Sequence, residues 1–369
     1  MKNNLLDNIN QTLLMGPGPS SVSPKVYSAL NRHTIGHLDP KFIEIMDHIK
    51  IMLRELLKTN NELTLPISGT GSAAMESCFV NLIEPENKIL IIENGYFGLR
   101  MIDMATRLGA DVTTLNFDWG KPINIDELSN IINNTKFDIV AVVHAETSTG
   151  VLNPVEAISK LIPEDTLFIV DAVTSFGTVD IEVDKWNIDA IYSCSQKGLS
   201  CPPGASPVSF SNNAINKLKN RSTKVPNWYL DLSMIINYWD GNARVYHHTA
   251  PINMMYALYQ GLLNVMEEGH DNVVNRHFEA YDYLKNQLST LNIDYLVQEA
   301  HRIPSLSSVI IPESVNDLEV RSNLLNNYNI EIGGGLGPLA GKVWRIGLMG
   351  HTAYKENVDR LIHALSEIL

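Results

Sequence analysis

The sequence predicts an α/β protein with a mostly parallel central sheet, followed by a smaller α+β C-terminal part. Three observations carry this. Short β-rich runs alternate with helix-length stretches through most of the chain. The runs are largely apolar from end to end, as strands covered on both faces are. Segments rich in glycine, hydroxyls and charge recur directly after them, where open parallel sheets hold their ligands.

In chain order, residues 40–58 repeat apolar groups at Phe42, Ile45, Met46, Ile49, Leu53, Leu56 and Leu57, which is helical spacing. Leu63–Ile67 reads as a strand that leads through Ser68-Gly69-Thr70-Gly71-Ser72 into a helix over Ala73–Asn81. Lys88–Glu93 is a second strand, with a helix near Leu99–Leu108 after it. Asp138–His144, Thr166–Val170 and Ala190–Ser193 continue the alternation. Ser68–Ser72, Asn94–Phe97, Ala145–Thr149, Asp171–Val173 and Ser195–Lys197 are thereby expected around one crevice. From about residue 266 the character changes. Met266–Asn292 reads as one long amphipathic helix, followed by β-like runs at Leu306–Ile311 and Val343–Leu348 and a closing helix over Asn357–Leu369. The expected division is an arm over 1–20, a large domain over 21–265 and a small domain over 266–369.

Composition narrows the function. Of 369 residues, 44% are apolar and 19% charged, which excludes an intrinsically disordered chain. With 28 basic and 41 acidic side chains the formal charge is −13, so nothing favours a nucleic acid partner. Three cysteines make no disulfide framework and fit a reducing compartment. The apolar runs fall far short of the ~20 residues that a bilayer requires, and the N-terminus lacks the apolar core of a secretory signal. The cytoplasm is the expected location, with no membrane partner.

Ser68–Ser72 lies at a strand-to-helix junction, where glycines admit an anion and hydroxyls and free amides donate to it. No Gly-Lys-Ser/Thr follows, so it is not a P-loop. Gly69-x-Gly71-x-x-Ala74 with Glu93 at the next strand end imitates a dinucleotide fingerprint, which keeps a nicotinamide-dependent oxidoreductase open. Asp171 ends a hydrophobic strand, and Lys197 follows the next one. A lysine in a desolvated site can condense with an aldehyde. A buried aspartate facing a pyridinium nitrogen keeps that ring an electron sink. With the anion cradle, this is the equipment pyridoxal 5'-phosphate needs.

These residues lie among ordered motifs: Leu14-Met-Gly-Pro-Gly-Pro-Ser20, Glu93-Asn-Gly-Tyr-Phe-Gly98, His144-Ala-Glu-Thr-Ser-Thr-Gly150, Trp228-Tyr-Leu-Asp231, Tyr246-His-His-Thr249, Gly333-Gly-Gly-Leu-Gly-Pro338 and Val343-Trp-Arg-Ile-Gly-Leu-Met-Gly350. Over nearly its whole length the chain resembles the class V aminotransferases of fold type I, specifically the alanine–glyoxylate/serine–glyoxylate aminotransferase family. The resemblance implies that Lys197 binds the cofactor covalently and moves a proton, and that Asp171 pairs with the ring nitrogen. It places Val173 and Phe97 against the ring faces, although Trp is frequent among relatives at the Phe97 position. Thr147 is assigned to the ring hydroxyl, and Thr70, Gly71, Ser72 and Gln196 to the phosphate. Tyr246 and Thr249 are assigned to the phosphate of a neighbouring subunit, which implies a homodimer with shared sites.

Arg345 is the expected partner of the substrate carboxylate, since a guanidinium fork fits it bidentately. Gly18 belongs to a family loop near the substrate, and His37 either lines the mouth of the site or makes a structural hydrogen bond. The adjacent His247 and His248 are expected to point apart. The implied reaction is ping-pong transfer from alanine or serine to glyoxylate or pyruvate. Ureidoglycine, hydroxykynurenine and 2-aminoethylphosphonate are the alternative donors within the family. A cysteine desulfurase is disfavoured because no cysteine follows Cys201. A binding protein would not require Lys197, Asp171 and Arg345 together.

Overall fold

In the computed structural model, which describes residues 4–240 and 244–369, the apolar runs become a seven-stranded sheet. Its strands are β1 (Leu63–Gly69), β2 (Lys88–Glu93), β3 (Asp111–Asn116), β4 (Ile139–Val143), β5 (Leu167–Asp171), β6 (Ala190–Tyr192) and β7 (Gly204–Phe210). The spatial order is β1-β7-β6-β5-β4-β2-β3, and β7 runs antiparallel to both its neighbours while the other pairs are parallel. β4 is buried at every position, as a strand covered on both faces must be.

Two strands escape the sequence reading, for different reasons. β3 is an edge strand that alternates few apolar groups with exposed polar ones. β7 contains Pro207, a residue that argues against a central strand. It is tolerated because Pro207 stands opposite Pro66 of β1, so the two missing donors fall on one rung. The Pro207 carbonyl still accepts from Ser193 N–H at 2.8 Å.

Helices α1 (Pro40–Leu57), α2 (Gly71–Leu82) and α3 (Tyr96–Arg107) flank the sheet. α3 begins earlier than the sequence suggested, so Phe97 sits in its first turn. The single helix expected over Met266–Asn292 is a correction: the chain forms α4 (Ile252–Glu268) and α5 (His270–Thr290), broken at Gly269. Gly269 has φ +86°, a conformation glycine reaches without steric cost. The break has a packing reason. α4 lies against α1, and its apolar face joins the core under the sheet. α5 turns Ala280, Leu284 and Leu288 into a separate core, against α6 (Lys355–Ile368).

That second core surrounds a three-stranded antiparallel sheet of β8 (Leu306–Ile310), β9 (Gly333–Gly334) and β10 (Val343–Gly347), with β10 central. Leu13–Leu14 pairs in parallel with Ile330–Glu331, so Leu13 and Met15 join the same core. The N-terminal segment therefore threads past the second core before residues 16–20 reach the first. Gly347 N–H donates to the Met15 carbonyl at 2.7 Å, and Ser20 N–H to the Gln196 carbonyl at 2.9 Å.

Candidate active site

The carboxyl ends of β1, β2, β5 and β6 open on a cavity of about 190 Å³. Thr70, Gly71 and Ser72 reach it from the start of α2, and Phe97 from α3. Asp171 and Val173 come from the end of β5, Gln196 and Lys197 from the loop after β6, and Gly18 from the N-terminal segment. The fold thus joins segments that the sequence keeps far apart.

Lys197 is buried, and its Nζ donates to the carbonyl of Pro17. A Cβ on Gly18 would lie 2.5 Å from Nζ, so glycine there is what leaves the amine its space. Burial holds the Lys197 pKa below its ordinary value, and Arg345 adds to that, while Cys194, Asp171 and Glu146 oppose it. Asp171 is 2% exposed; its Oδ1 accepts from Val173 N–H at 2.7 Å, while Oδ2 makes no hydrogen bond of good geometry, although the nearby Tyr192 hydroxyl helps to hold the carboxyl's pKa down. Burial pushes the Asp171 carboxyl up to about 7. A buried carboxylate oxygen without a partner is costly and marks a place for a donor or cation. Gln196 Oε1 is buried and unpartnered too.

Thr70 caps α2 without a side-chain bond, and among the described residues the amides of Gly71 and Ser72 have no hydrogen-bond acceptor. A helix start with open amides favours an anion. Added at Gly71, a Cβ would sit 3.1 Å from Cys194 Cβ and 3.2 Å from Val173 Cγ2, so the approach is close. The donor set therefore fits pyridoxal phosphate at both ends: the Asp171 carboxyl suits a protonated ring nitrogen, and the open amides at the start of α2 suit a phosphate.

Arg345, at the centre of β10, is 6% exposed and stands beside the cavity rather than in its lining. Its Nε donates to Gly334 O at 2.8 Å and its Nη1 to Thr147 O at 3.2 Å. Burial lowers its pKa to about 10, with Glu146 opposing. The Thr147 hydroxyl bonds to Thr174 Oγ1 and likewise lies outside the lining. Tyr246 and Thr249 are exposed, 3.3 Å apart at their hydroxyls, and do not reach the cavity of their own chain. His37 also stays outside it; its carbonyl accepts from Tyr238 OH at 3.1 Å and its ring lies 5.0 Å from that of Tyr246.

The histidine pair needs a correction. His247 and His248 do not diverge: their Nδ1 atoms lie 2.8 Å apart, with rings nearly perpendicular. The chain there is neither strand nor helix, so the alternation expected of regular elements does not apply. His248 Nε2 meets Ser68 Oγ at 2.8 Å, and His247 stacks on Trp228 at 4.4 Å. Glu93, the acid of the dinucleotide reading, is engaged by Trp119 Nε1 at 2.8 Å and does not line the cavity. Cys194 and Cys201 are buried thiols whose pKa burial drives up, as small core residues behave.

Two residues were missed. Glu146, fully buried, accepts from Phe97 N–H at 3.2 Å and from Ser148 Oγ at 2.6 Å, fixing the start of α3. Its only sequence signal was its place in the 144–150 motif. Arg100 lines the cavity and donates to Ser72 Oγ at 2.8 Å. On the sequence it looks like one more solvated charge of an amphipathic helix.

A mostly parallel seven-stranded sheet with a small C-terminal sheet, and a buried lysine facing a buried aspartate at its carboxyl edge, define the α/β transferases of fold type I. The family model "Aminotransferase class-V" matches residues 21–361. An alanine–glyoxylate aminotransferase from Callithrix jacchus is 39% identical over 97% of this chain and 87% of its own length. An (S)-ureidoglycine–glyoxylate transaminase from Bacillus subtilis is 36% identical over 96% and 90%. The solved alanine–glyoxylate aminotransferase of Nostoc sp. superposes with a TM-score of 0.96 at 49% identity, over 98% of this chain and 96% of that one. The chain belongs to the class V aminotransferases, in the alanine–glyoxylate aminotransferase family.

Proposed function

We propose that this chain is a pyridoxal-phosphate-dependent aminotransferase that transfers the amino group of alanine, or of serine, to glyoxylate or pyruvate by a ping-pong route. The observation that carries the reading is the convergence of Lys197 with Asp171, whose Oδ2 makes no hydrogen bond of good geometry, in one buried cavity. The choice of substrates rests on the names of the relatives at 39% and 49% identity.

When bound, pyridoxal phosphate supplies the aldehyde and the conjugated ring that stabilises charge at the substrate Cα. The chain's residues do the rest. Lys197 Nζ, with its pKa lowered by burial, would hold the cofactor and serve as the acid–base group that takes and returns the substrate Cα proton. Asp171 would hold the cofactor's ring nitrogen, and a cation there would favour the ionised aspartate. Phe97 and Val173, which line the cavity, would confine the ring, and Thr147, beside the lining and bonded to Thr174 Oγ1, would have to turn its hydroxyl to meet the phenolic oxygen. Arg345 takes the substrate carboxylate; two carbonyls already orient its guanidinium, and among the described residues no carboxylate forms a salt bridge with it.

Tyr246 and Thr249 serve the neighbouring copy's cofactor phosphate in a homodimer. The exposed Trp228, Tyr229, Val245 and Tyr246 support this, because together they present an apolar, aromatic surface. Three buried free thiols suit a reducing cytoplasm. No helix of the described residues is long and apolar enough to cross a membrane.

The test is a donor–acceptor matrix of alanine, serine and ureidoglycine against glyoxylate and pyruvate, with the visible band followed on adding each donor. Alanine or serine with glyoxylate should turn over fastest. Fastest turnover of ureidoglycine would move the chain to the other branch. A protein that stays colourless with the cofactor, and resists borohydride trapping at Lys197, would end the cofactor reading.

A further inference from the structure

We propose that Arg100 is the cationic ligand of the cofactor phosphate, an assignment that rests on the pyridoxal phosphate reading above. A phosphate monoester carries about −1.5 to −2 at neutral pH. The start of α2 offers roughly +0.5 from its open amides. Thr70, Ser72 and Gln196 are neutral, and so are Tyr246 and Thr249. Roughly one unit of negative charge would be left uncompensated in a half-buried cavity, which is unfavourable.

Among the described residues, only Lys197 and Arg100 bring positive charge to the lining. Lys197 is committed to the aldehyde end. Arg100 projects from α3, and its Nη1 donates to Ser72 Oγ at 2.8 Å, the hydroxyl at the start of α2. Its guanidinium lies 4.9 Å from the centroid of the Phe97 ring and 5.5 Å from that of Tyr96. No carboxylate among the described residues forms a salt bridge with it, so its charge is available to a ligand. A guanidinium keeps several donors beyond the one used on Ser72, which suits a phosphate's oxygens. Arg100 thus joins the phosphate end to the ring end, touching Ser72 on one side and Phe97 on the other.

The test is a titration of the cofactor-depleted protein with pyridoxal phosphate and, in parallel, with pyridoxal, which lacks the phosphate. It compares wild type, Arg100→Gln and Arg100→Lys. Arg100→Gln should weaken pyridoxal phosphate by roughly 10–100-fold, the range expected for a lost charge-assisted bond, and leave pyridoxal nearly unchanged. Arg100→Lys should recover part of the loss, and it supplies the reading if circular dichroism shows the Gln variant unfolded. Equal pyridoxal phosphate affinity in wild type and variants overturns the assignment. An equal loss for both aldehydes also overturns it, because Arg100 would then only prop the Phe97 ring. A wild type that takes up neither aldehyde defeats the cofactor reading itself, and this assignment with it.

Discussion

The cavity around Lys197 and the junction around His277 are both buried, polar and built from distant segments, yet their hydrogen bonding is opposite. At the junction the polar groups of His277 and Arg276 are partnered. His277 bonds Val273 O at 2.6 Å through Nδ1, while its Nε2 accepts from Gly350 N–H at 2.9 Å. Arg276 pairs with both Glu268 oxygens and donates to the carbonyls of Gly350 and Ala353. In the Lys197 cavity, Asp171 Oδ2 and Gln196 Oε1 make no hydrogen bond of good geometry, and Arg345 beside it meets only carbonyls. Size would point to the wrong one, since the cleft beside the junction measures about 410 Å³ against about 190 Å³ for the cavity. Incomplete satisfaction tells them apart: a polar group that folding leaves unpaired is held for a ligand, and a saturated one holds the fold.

The sharpest way to break this contrast is Lys197→Ala. Turnover should fall by roughly 10⁴-fold, because proton transfer and covalent capture are lost together. Near-normal rates in a single-turnover assay would remove Lys197 from the chemistry. At the junction the large effect should be on stability instead. His277→Ala should cost about 2–4 kcal/mol by strewing a cavity and orphaning Gly350 N–H, read as a lower midpoint in urea. The sign with pH is fixed. Burial lowers the His277 pKa from 6.5 to about 3, so the folded state holds it neutral; its contribution is present above 6.5 and declines as pH falls toward 3. The variant's deficit should therefore be larger at pH 7.5 than at pH 4.5, and a pH-independent deficit would contradict the neutral, saturated histidine.

Arg345→Lys tests the carboxylate site proposed beside the cavity. KM for amino and oxo acids alike should rise by roughly 10–100-fold, since a point charge replaces a fork. Unchanged KM for both would take Arg345 out of the site. The smallest effect concerns Asp171 in cofactor-depleted protein. Its folded pKa is raised from 3.8 to about 7, so the folded state binds the extra proton and loses stability as pH climbs through that window. Asp171→Asn should abolish that decline, gaining on the order of 1 kcal/mol relative to wild type between pH 5 and 8. Parallel stability curves would show that Asp171 is already satisfied by the chain.

Legibility followed locality. Gly71, Asp171 and Lys197 were readable because each sits beside a strand end whose apolar run announces itself. Arg100 and Glu146 were not, because an arginine on a helix and a glutamate in a loop look alike whether solvated or buried. The break at Gly269 was hidden because both halves keep the same apolar spacing; only the presence of two separate cores makes a straight helix unfavourable. β7 was concealed by Pro207, whose lost donor matters only in light of the strand placed beside it.

By itself, then, the sequence determined the alternation of strands and helices, the glycine-rich turn before α2, and the placement of Asp171 and Lys197 at strand ends, since periodicity and turn composition are local properties of the chain. The tertiary structure decided which polar groups are saturated and which are left waiting. It set Gly18 against Lys197 and Arg100 against Ser72, and it left Asp171 Oδ2 without a hydrogen bond of good geometry. Burial and hydrogen-bond satisfaction depend on segments far apart in the chain, and no local pattern encodes them.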